Sequence, residues 1–259
     1  MEYDVTIKAH PKDYYKLDFV LDSLIFLHPQ PENVYIISPD GFVPDNKKYF
    51  DKIVAVKDSQ IIPNINKNNL NYRKNWTWQN IVSILQDVTK NDLYLDIQAD
   101  NFFINDIELF DINGKPNIFR STQNSINNDG HPPYFNFNKN VFNLERKWNG
   151  YSYIIEFMLY DKKILKDFFN KNFESSDKLL NKIYENINES SYLGDQEFYG
   201  NLIDNHYKNH YNFINNFPIV LDGSHKDVSI DFIKQYSINI KNTNPEIVAF
   251  SYHTWRITE

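Results

Sequence analysis

Along the first hundred residues the apolar positions repeat in two ways, and each change of period marks an element. Tyr3 to Lys8 alternates around Val5, Thr6 and Ile7, which predicts an opening strand. Ala9-His10-Pro11 interrupts it, and Asp13 can cap a helix over Tyr14 to Leu27. In that helix Leu17, Val20, Leu21, Leu24 and Ile25 form one apolar stripe, and His28-Pro29-Gln30-Pro31 ends it. A strand over Val34 to Ser38 runs into the turn Pro39-Asp40-Gly41, and Ile53 to Val56 reads as a third strand. A helix from Trp76 to Val88 carries Trp78, Ile81, Val82, Leu85 and Val88 on one face. Leu93 to Ile97 is almost continuously apolar, as suits a central strand covered on both sides. This alternation of strands and helices predicts an α/β fold with a mostly parallel central sheet and flanking helices.

Beyond residue 100 the rhythm loosens. Asn117 to Arg120 and Tyr151 to Leu159 read as strands, and Asn64 to Asn75 and Gln123 to Asn140 as polar loops. A loop as long as the second is often a lid or a binding segment. Helices are expected over Asp161 to Asn170 and Asp177 to Ile187, and from Asp195 onward with Phe198, Tyr199, Leu202 and Ile203 facing inward. Ile219 to Leu221 and Ile247 to Ser251 close the chain as strands. No repeat or low-complexity linker divides the chain, so a single domain is expected.

Composition narrows the chemistry. At 259 residues, 41% hydrophobic and 16% aromatic, the chain has ample core for one domain and is not a disordered segment. The absence of cysteine excludes disulfides, thiolate zinc sites and cysteine nucleophiles. No apolar run approaches ~18 residues, so no membrane span is expected. The N-terminus carries no secretion pattern, and a cytoplasmic protein is expected. A net charge of −7 argues against a nucleic-acid partner, since phosphate binding wants clustered Lys and Arg. The excess of Asn, Ile, Lys and Tyr fits an AT-rich coding sequence of viral or low-GC origin, so the asparagines carry little functional weight.

In open α/β sheets ligands sit beyond the carboxyl ends of the strands. That directs attention to Lys8 to Pro11, Ser38 to Gly41 and Gln98 to Asn101. No GxGxxG or GxxxxGK[ST] pattern is present, which removes the usual dinucleotide and P-loop readings. The stretch from Leu93 to Phe103 runs an apolar strand into Asp96, Gln98, Asp100 and Asn101. Such a tip can hold a hard divalent cation, Mg²⁺ or Mn²⁺, or the two acids are ordinary turn residues at a strand end.

The run Leu93-Tyr94-Leu95-Asp96-Ile97-Gln98-Ala99-Asp100 is similar to the Asp-x-Asp region of GT-A glycosyltransferases. Arg73-Lys74-Asn75-Trp76-Thr77-Trp78-Gln79-Asn80 resembles the helix start that precedes that region in glycosyltransferase-like families of unassigned specificity. Gly194 to Asn201, reading Gly-Asp-Gln-Glu-Phe-Tyr-Gly-Asn, resembles their later acidic helix. The resemblance implies a single GT-A-like domain, with a nucleotide-sugar donor half over about 1–105 and an elaborated acceptor half over about 106–259. It implies a hexosyltransferase-like enzyme that moves a sugar from a nucleoside diphosphate, of UDP type, to a glycan, protein or other hydroxyl acceptor.

Carried onto this sequence, the resemblance gives Asp100 to the metal, Mn²⁺ or Mg²⁺, that bridges the donor diphosphate. Gln98 stands where the family has its first acid; it would assist, with Asp96 as the alternate. A C-terminal third ligand would be His253, or its rival His225. Lys8, His10 and Tyr14 fall where base and ribose would lie, and Arg73 suits the diphosphate. Asp195 or Glu197 would be the catalytic carboxylate that takes the acceptor's proton, or Asp195 caps its helix and Glu197 is a favourable first-turn charge. Trp76 and Trp78 offer a ring platform, and His131 to Asn138 with the neighbourhood of Glu156 would meet the acceptor. His206 and His210 have a zinc-compatible spacing but read as surface residues. Two other readings share this fold: an inactive nucleotide-sugar or glycan-binding module, which Gln98 favours, and a phage-type DNA-modifying sugar transferase, which the acidic balance disfavours.

Overall fold

The computed structural model describes residues 1–44, 51, 53–63, 69–70, 72–121, 132–147, 150–224 and 228–254. Strand β1 (Asp4–Lys8) opens the chain. The expected first helix is wound in three pieces: a 3-10 turn over Pro11–Lys16, α1 (Leu17–Ser23) and a second 3-10 turn over Leu24–Phe26. Leu17, Val20, Leu21 and Leu24 are buried, as the stripe requires, but the tighter last turn leaves Ile25 half exposed. Short β2 (Leu27–His28), β3 (Val34–Ser38), β4 (Ile53–Lys57) and the single turn α2 (Asp58–Ile61) follow. Then come α3 (Lys74–Leu85) and β5 (Leu93–Gln98).

The central sheet has the order β4-β3-β1-β5, with β1 parallel to both β3 and β5. It is completed by β9 (Phe157–Asp161), antiparallel on β5. Strand order therefore reverses beside β1: β3 and β4 extend to one side and β5 to the other. A ligand crevice is expected at the carboxyl ends of strands at such a reversal. Lys8 and Gln98, paired in register, stand there.

Period-two alternation gives the sheet two unlike faces. Val5, Ile7, Val34, Ile36, Leu95, Ile97, Phe157 and Leu159 point into one core. That core is shared with α1, with β6 (Asn101–Phe103) and with the C-terminal part of the chain. Tyr35, Ile37, Tyr94, Met158 and Tyr160 point into the other. The second core is roofed by α3, α4 (Pro132–Phe142), α5 (Lys162–Asn172), α6 (Ser176–Asn186) and α7 (Asp195–Leu202). Thr6 and Asp96 face each other across β1 and β5, where a central strand would ordinarily be apolar.

Beyond β6, short strands β7 (Ile107–Glu108), β8 (Asn117–Phe119) and β10 (Asn212–Ile214) make two-stranded pairings, β7 with β2 and β8 with β10. A second sheet of β11 (Ile219–Ser224), β12 (Ala249–Thr254) and β6 lies over the first core, with α8 (Ile230–Thr243) between its two longer strands. β12 runs antiparallel to β6, with Ser251 opposite Asn101.

Three expectations need correction. The stretch read as loop up to Asn140 contains α4, whose Tyr134, Phe137, Val141 and Phe142 form a buried stripe between asparagines. The strand read over Tyr151 to Leu159 begins only at Phe157, because Glu156 adopts a left-handed conformation that a strand cannot carry. α8 was not anticipated, though Ile233, Ser237 and Ile240 mark its buried face. Half of the loop expected over Asn64 to Asn75 (64–68 and 71) falls outside the described residues, and its last two residues, Lys74 and Asn75, already belong to α3.

Candidate functional site

Two groups of charged side chains sit at the carboxyl end of β5. In the first, Lys8 reaches back under the sheet end. Its Nζ lies 2.7 Å from Asp96 Oδ2 and 3.5 Å from Asp195 Oδ2, and it also donates to the Ser83 hydroxyl. Asp96 accepts from Thr6 at 2.6 Å and from Ser83 at 3.0 Å, and Asp195 accepts from the Tyr160 hydroxyl at 3.0 Å. All three charged residues are buried. Burial alone would lower the Lys8 pKa, but the two carboxylates outweigh it and hold the ammonium above its ordinary value. Lys8, expected on the donor, thus has its charge absorbed by protein carboxylates. Asp96, the alternate metal ligand, has both oxygens engaged by its neighbours.

The second group lies on the other side of the strand tip. Tyr252 N–H donates to the Asp100 carbonyl at 3.0 Å, a backbone link that fixes β12 against the turn after β5. His253 is thereby set beside Asp100, with Nδ1 3.0 Å from Asp100 Oδ2. Its other nitrogen, Nε2, lies 3.8 Å from Glu156 Oε2. Burial pulls the imidazole down, but Asp100, with a smaller share from Glu156, overrides it and pushes His253 up to about 9. Burial would raise Asp100, but His253 holds its carboxyl below the usual range. Glu156 is raised, chiefly by burial. Asp100 Oδ1 is buried and has no hydrogen-bond partner among the described residues. Gln98 is half-buried at the same tip, and its side-chain amide makes no hydrogen bond among the described residues.

The start of α7 supports both groups. Asp195 is the first helical residue, with Gly194 in the capping position, so it is not the helix cap. Gln196 Oε1 accepts from the backbone N–H groups of Ile155 and Glu156 at 2.9 and 3.1 Å. Glu197 is fully buried; it accepts from Tyr153 N–H at 3.1 Å, Ser152 Oγ at 3.4 Å and Asn201 Nδ2 at 3.0 Å. The acidic helix start therefore holds the irregular segment 152–156 in place, and Glu197 presents no free oxygen to a substrate.

Of the residues expected on the donor, Lys8 and His10 line a cavity of about 100 Å³ between the ends of β1 and β3 and the start of α3. Trp78 lines it too, but is a core residue whose indole N–H donates to Asp58 at 2.9 Å. Exposed His10 accepts from Lys12 N–H at 3.4 Å as the cap of the first 3-10 turn. Tyr14 is drawn aside: it stacks on Phe42 at 4.0 Å and donates to Asp40. Arg73 packs over Trp76 at 4.3 Å and Tyr192 at 5.4 Å instead of reaching the Asp100 tip. Trp76, Tyr134 and Tyr192 form one aromatic cluster with centroid separations of 5.0–5.7 Å. A larger cavity of about 200 Å³ opens at the opposite end of α3, where Asp87 is tied to Lys162 and Lys166.

His206 and His210 are exposed on a π-helical and a 3-10 turn, where a four-residue spacing does not align them. His131 and His225 lie outside the described residues. Sequence reasoning placed Glu156 only in an acceptor neighbourhood. Nothing in its local pattern signals the left-handed backbone that turns it toward His253.

No family model matches the sequence, and no curated protein matches it. Solved structures do. The galactosyltransferase LgtC, crystallised with donor and acceptor sugar analogues, is 13% identical; the match covers 96% of this chain and 86% of that one at a TM-score of 0.48. Mouse xyloside xylosyltransferase 1, in its apo form, is 10% identical over 97% of both chains at a TM-score of 0.50. With its mixed, mostly parallel sheet and flanking helices, the chain has the GT-A-like fold of the glycosyltransferases.

Proposed function

We propose that the protein transfers a hexose or similar sugar from a nucleoside diphosphate of UDP type to a hydroxyl acceptor, with a divalent cation at the strand tip. Residues 1–105 form the donor half and 106–259 the acceptor half. The observation that carries this reading is the meeting of Asp100 and His253 at the reversal point of the sheet.

Those residues fit a cation. A carboxylate oxygen and an imidazole nitrogen 3.0 Å apart match two adjacent corners of an octahedron with bonds of about 2.1 Å. Asp100 Oδ1, without a partner among the described residues, carries a lone pair that such a site would use or leave to a bound water. Among the described residues no three His, Asp or Glu side chains converge as a complete cage, because Asp100 and Glu156 approach opposite nitrogens of His253. Mg²⁺ and Mn²⁺ commonly take only one or two protein carboxylates and complete their shell with phosphate oxygens and water. Asp100 and His253 supply such a partial set, with Gln98 two residues before Asp100 at the end of the same strand. When bound, the cation would neutralise charge on the departing diphosphate.

The chain's own residues do the rest. The cavity at His10 and Ser38 receives the nucleoside end of the donor. The knot of Lys8, Asp96 and Asp195 keeps the ends of β1, β5 and α7 in fixed relation, so that the sugar end is oriented by a rigid frame. Glu197 serves this frame through Ser152 and Tyr153. A panel of nucleotide sugars tested for hydrolysis with Mn²⁺ and with chelator examines the reading. One donor should be hydrolysed only with the cation, and that hydrolysis should vanish in Asp100→Ala. Cation-independent hydrolysis, or none with any donor, refutes it.

A further inference from the structure

The cavity of about 200 Å³ at the far end of α3 takes no part in the sugar-transfer reading. α3 is 12 residues long, about 18 Å, and the cavity at His10 lies at its start, so the two are well separated. Leu85 from the end of α3, Leu165 and Phe169 from α5, Phe173 just beyond it and Leu179 from α6 give the larger cavity an apolar lining. An apolar cavity of ~150 Å³ accepts a benzene ring. The volume here admits a ring or a short aliphatic chain with a small polar group attached.

The polar lining offers donors. Gln86, a lining residue, is only 3% exposed. Its Oε1 accepts from Val88 N–H at 3.0 Å, which fixes the orientation of the amide. The atom left over is Nε2, a buried donor that makes no hydrogen bond among the described residues. Tyr94, whose hydroxyl is near enough to sense this amide, gives its own proton to the Ser83 carbonyl at 2.5 Å. A buried donor without an acceptor is costly, and a ligand that brings one relieves the cost. The charged lining residues add a surplus of one positive charge: Lys162 and Lys166 share the single carboxylate of Asp87, at 3.5 and 2.8 Å. Lys162 is buried and also donates to the Thr89 carbonyl at 2.6 Å, whereas Lys166 stands at the exposed rim.

We propose that this cavity binds a small monoanionic acid with an apolar body, of the aryl- or alkyl-carboxylate class. The carboxylate accepts from Gln86 Nε2 and takes up the surplus charge through Lys166 at the rim. The ring or chain packs against Leu165, Phe169 and Phe173. A neutral hydrocarbon would leave the Gln86 donor unsatisfied. A nucleoside diphosphate is too large for the volume and too highly charged for one surplus ammonium, so this is not a second donor site. The site is independent of the sugar-transfer reading and stands or falls without it.

Phenylacetate is the probe, titrated into the full chain while the Gln86 side-chain amide, assigned by triple-resonance NMR, is followed. Phenylacetate should move that amide saturably, and acetate at the same concentrations should not. Phenylacetamide, of the same shape without the charge, should bind at least about fivefold more weakly. By calorimetry, phenylacetate affinity should fall about tenfold in Gln86→Met, which lacks the donor, and about threefold in Lys166→Met, whose exposed position spares the fold. Should Gln86→Met fail to fold, Lys166→Met and the phenylacetamide comparison decide. Saturating UDP and Mn²⁺ should leave the affinity for phenylacetate unchanged. No saturable movement of the Gln86 amide, equal affinity for phenylacetamide, or undiminished binding in either folded variant overturns the proposal. Displacement of phenylacetate by UDP also overturns it, since the probe would then occupy the cavity at His10.

Discussion

Within five residues at the end of β5 and the turn after it, the protein places two carboxylates in opposite conditions. Asp96 lies in a closed network: Lys8, Thr6 and Ser83 satisfy it, and the lysine is in turn shared with Asp195. Asp100 lies in an open one, with one oxygen on His253, the other without a partner among the described residues, and Glu156 at 3.8 Å across the same imidazole. Buried polar groups are normally satisfied by the protein, so a closed network fixes structure and an open one awaits a ligand. Charge type alone would not separate the two.

That contrast breaks first, and most strongly, in Asp96→Ala. It leaves the Lys8 ammonium facing only Asp195 in a buried setting, and removing one partner of a buried pair typically costs about 3–5 kcal/mol. Urea unfolding should show a loss of that order, against about 1 kcal/mol or less for Asp100→Ala without ligands. Equal losses would erase the distinction. The next effect lies at the open group. UDP with Mn²⁺ at ~100 times its Kd should stabilise wild type by about 2.7 kcal/mol and Asp100→Ala by almost nothing, read as a melting shift.

A smaller effect tests the support beneath both groups. A Cβ on Gly200 would come within 2.1 Å of the buried Tyr153 ring, whose backbone N–H binds Glu197. Gly200→Ala should therefore destabilise by about 1–3 kcal/mol, again by urea unfolding, and lower turnover by disturbing the segment that carries Glu156. An unchanged midpoint would mean that the ring moves freely.

The smallest effect concerns pH. Burial raises the Glu197 carboxyl above its ordinary range. The folded state then binds more protons than the unfolded one between the ordinary and the raised value. The residue's contribution to stability is thus present at low pH and lost as pH climbs through that window. Glu197→Gln lacks this titration, so its stability relative to wild type should improve from pH 4.5 to pH 7.5; a constant difference would contradict the shift.

The sequence made the frame legible because buried parallel strands and amphipathic helices leave periodic signals. Whereas β2 begins at Leu27, which was read as helical, the three helices after β9 and strands β1, β3, β4 and β5 emerged close to their expected places. α4 did not, since asparagines dilute its stripe of Tyr134, Phe137, Val141 and Phe142. At the site, the resemblance to GT-A enzymes pointed to Asp100 and His253, which the fold brings together. It also pointed to Lys8, Glu197 and Asp195, whose partners come from elements tens to over a hundred residues away and are invisible in local pattern. Glu156 was least legible of all: its backbone is set by Gln196 and Asn101, forty and fifty-five residues distant.

The account depends on the Asp100–His253 pair holding a cation together with a diphosphate. Titration of Mn²⁺ followed by the EPR signal of the free ion measures this directly. With UDP present, wild type should remove one equivalent of Mn²⁺, whereas Asp100→Ala and His253→Ala should leave the signal at the level of UDP alone. Variants that take up Mn²⁺ as wild type does would contradict it.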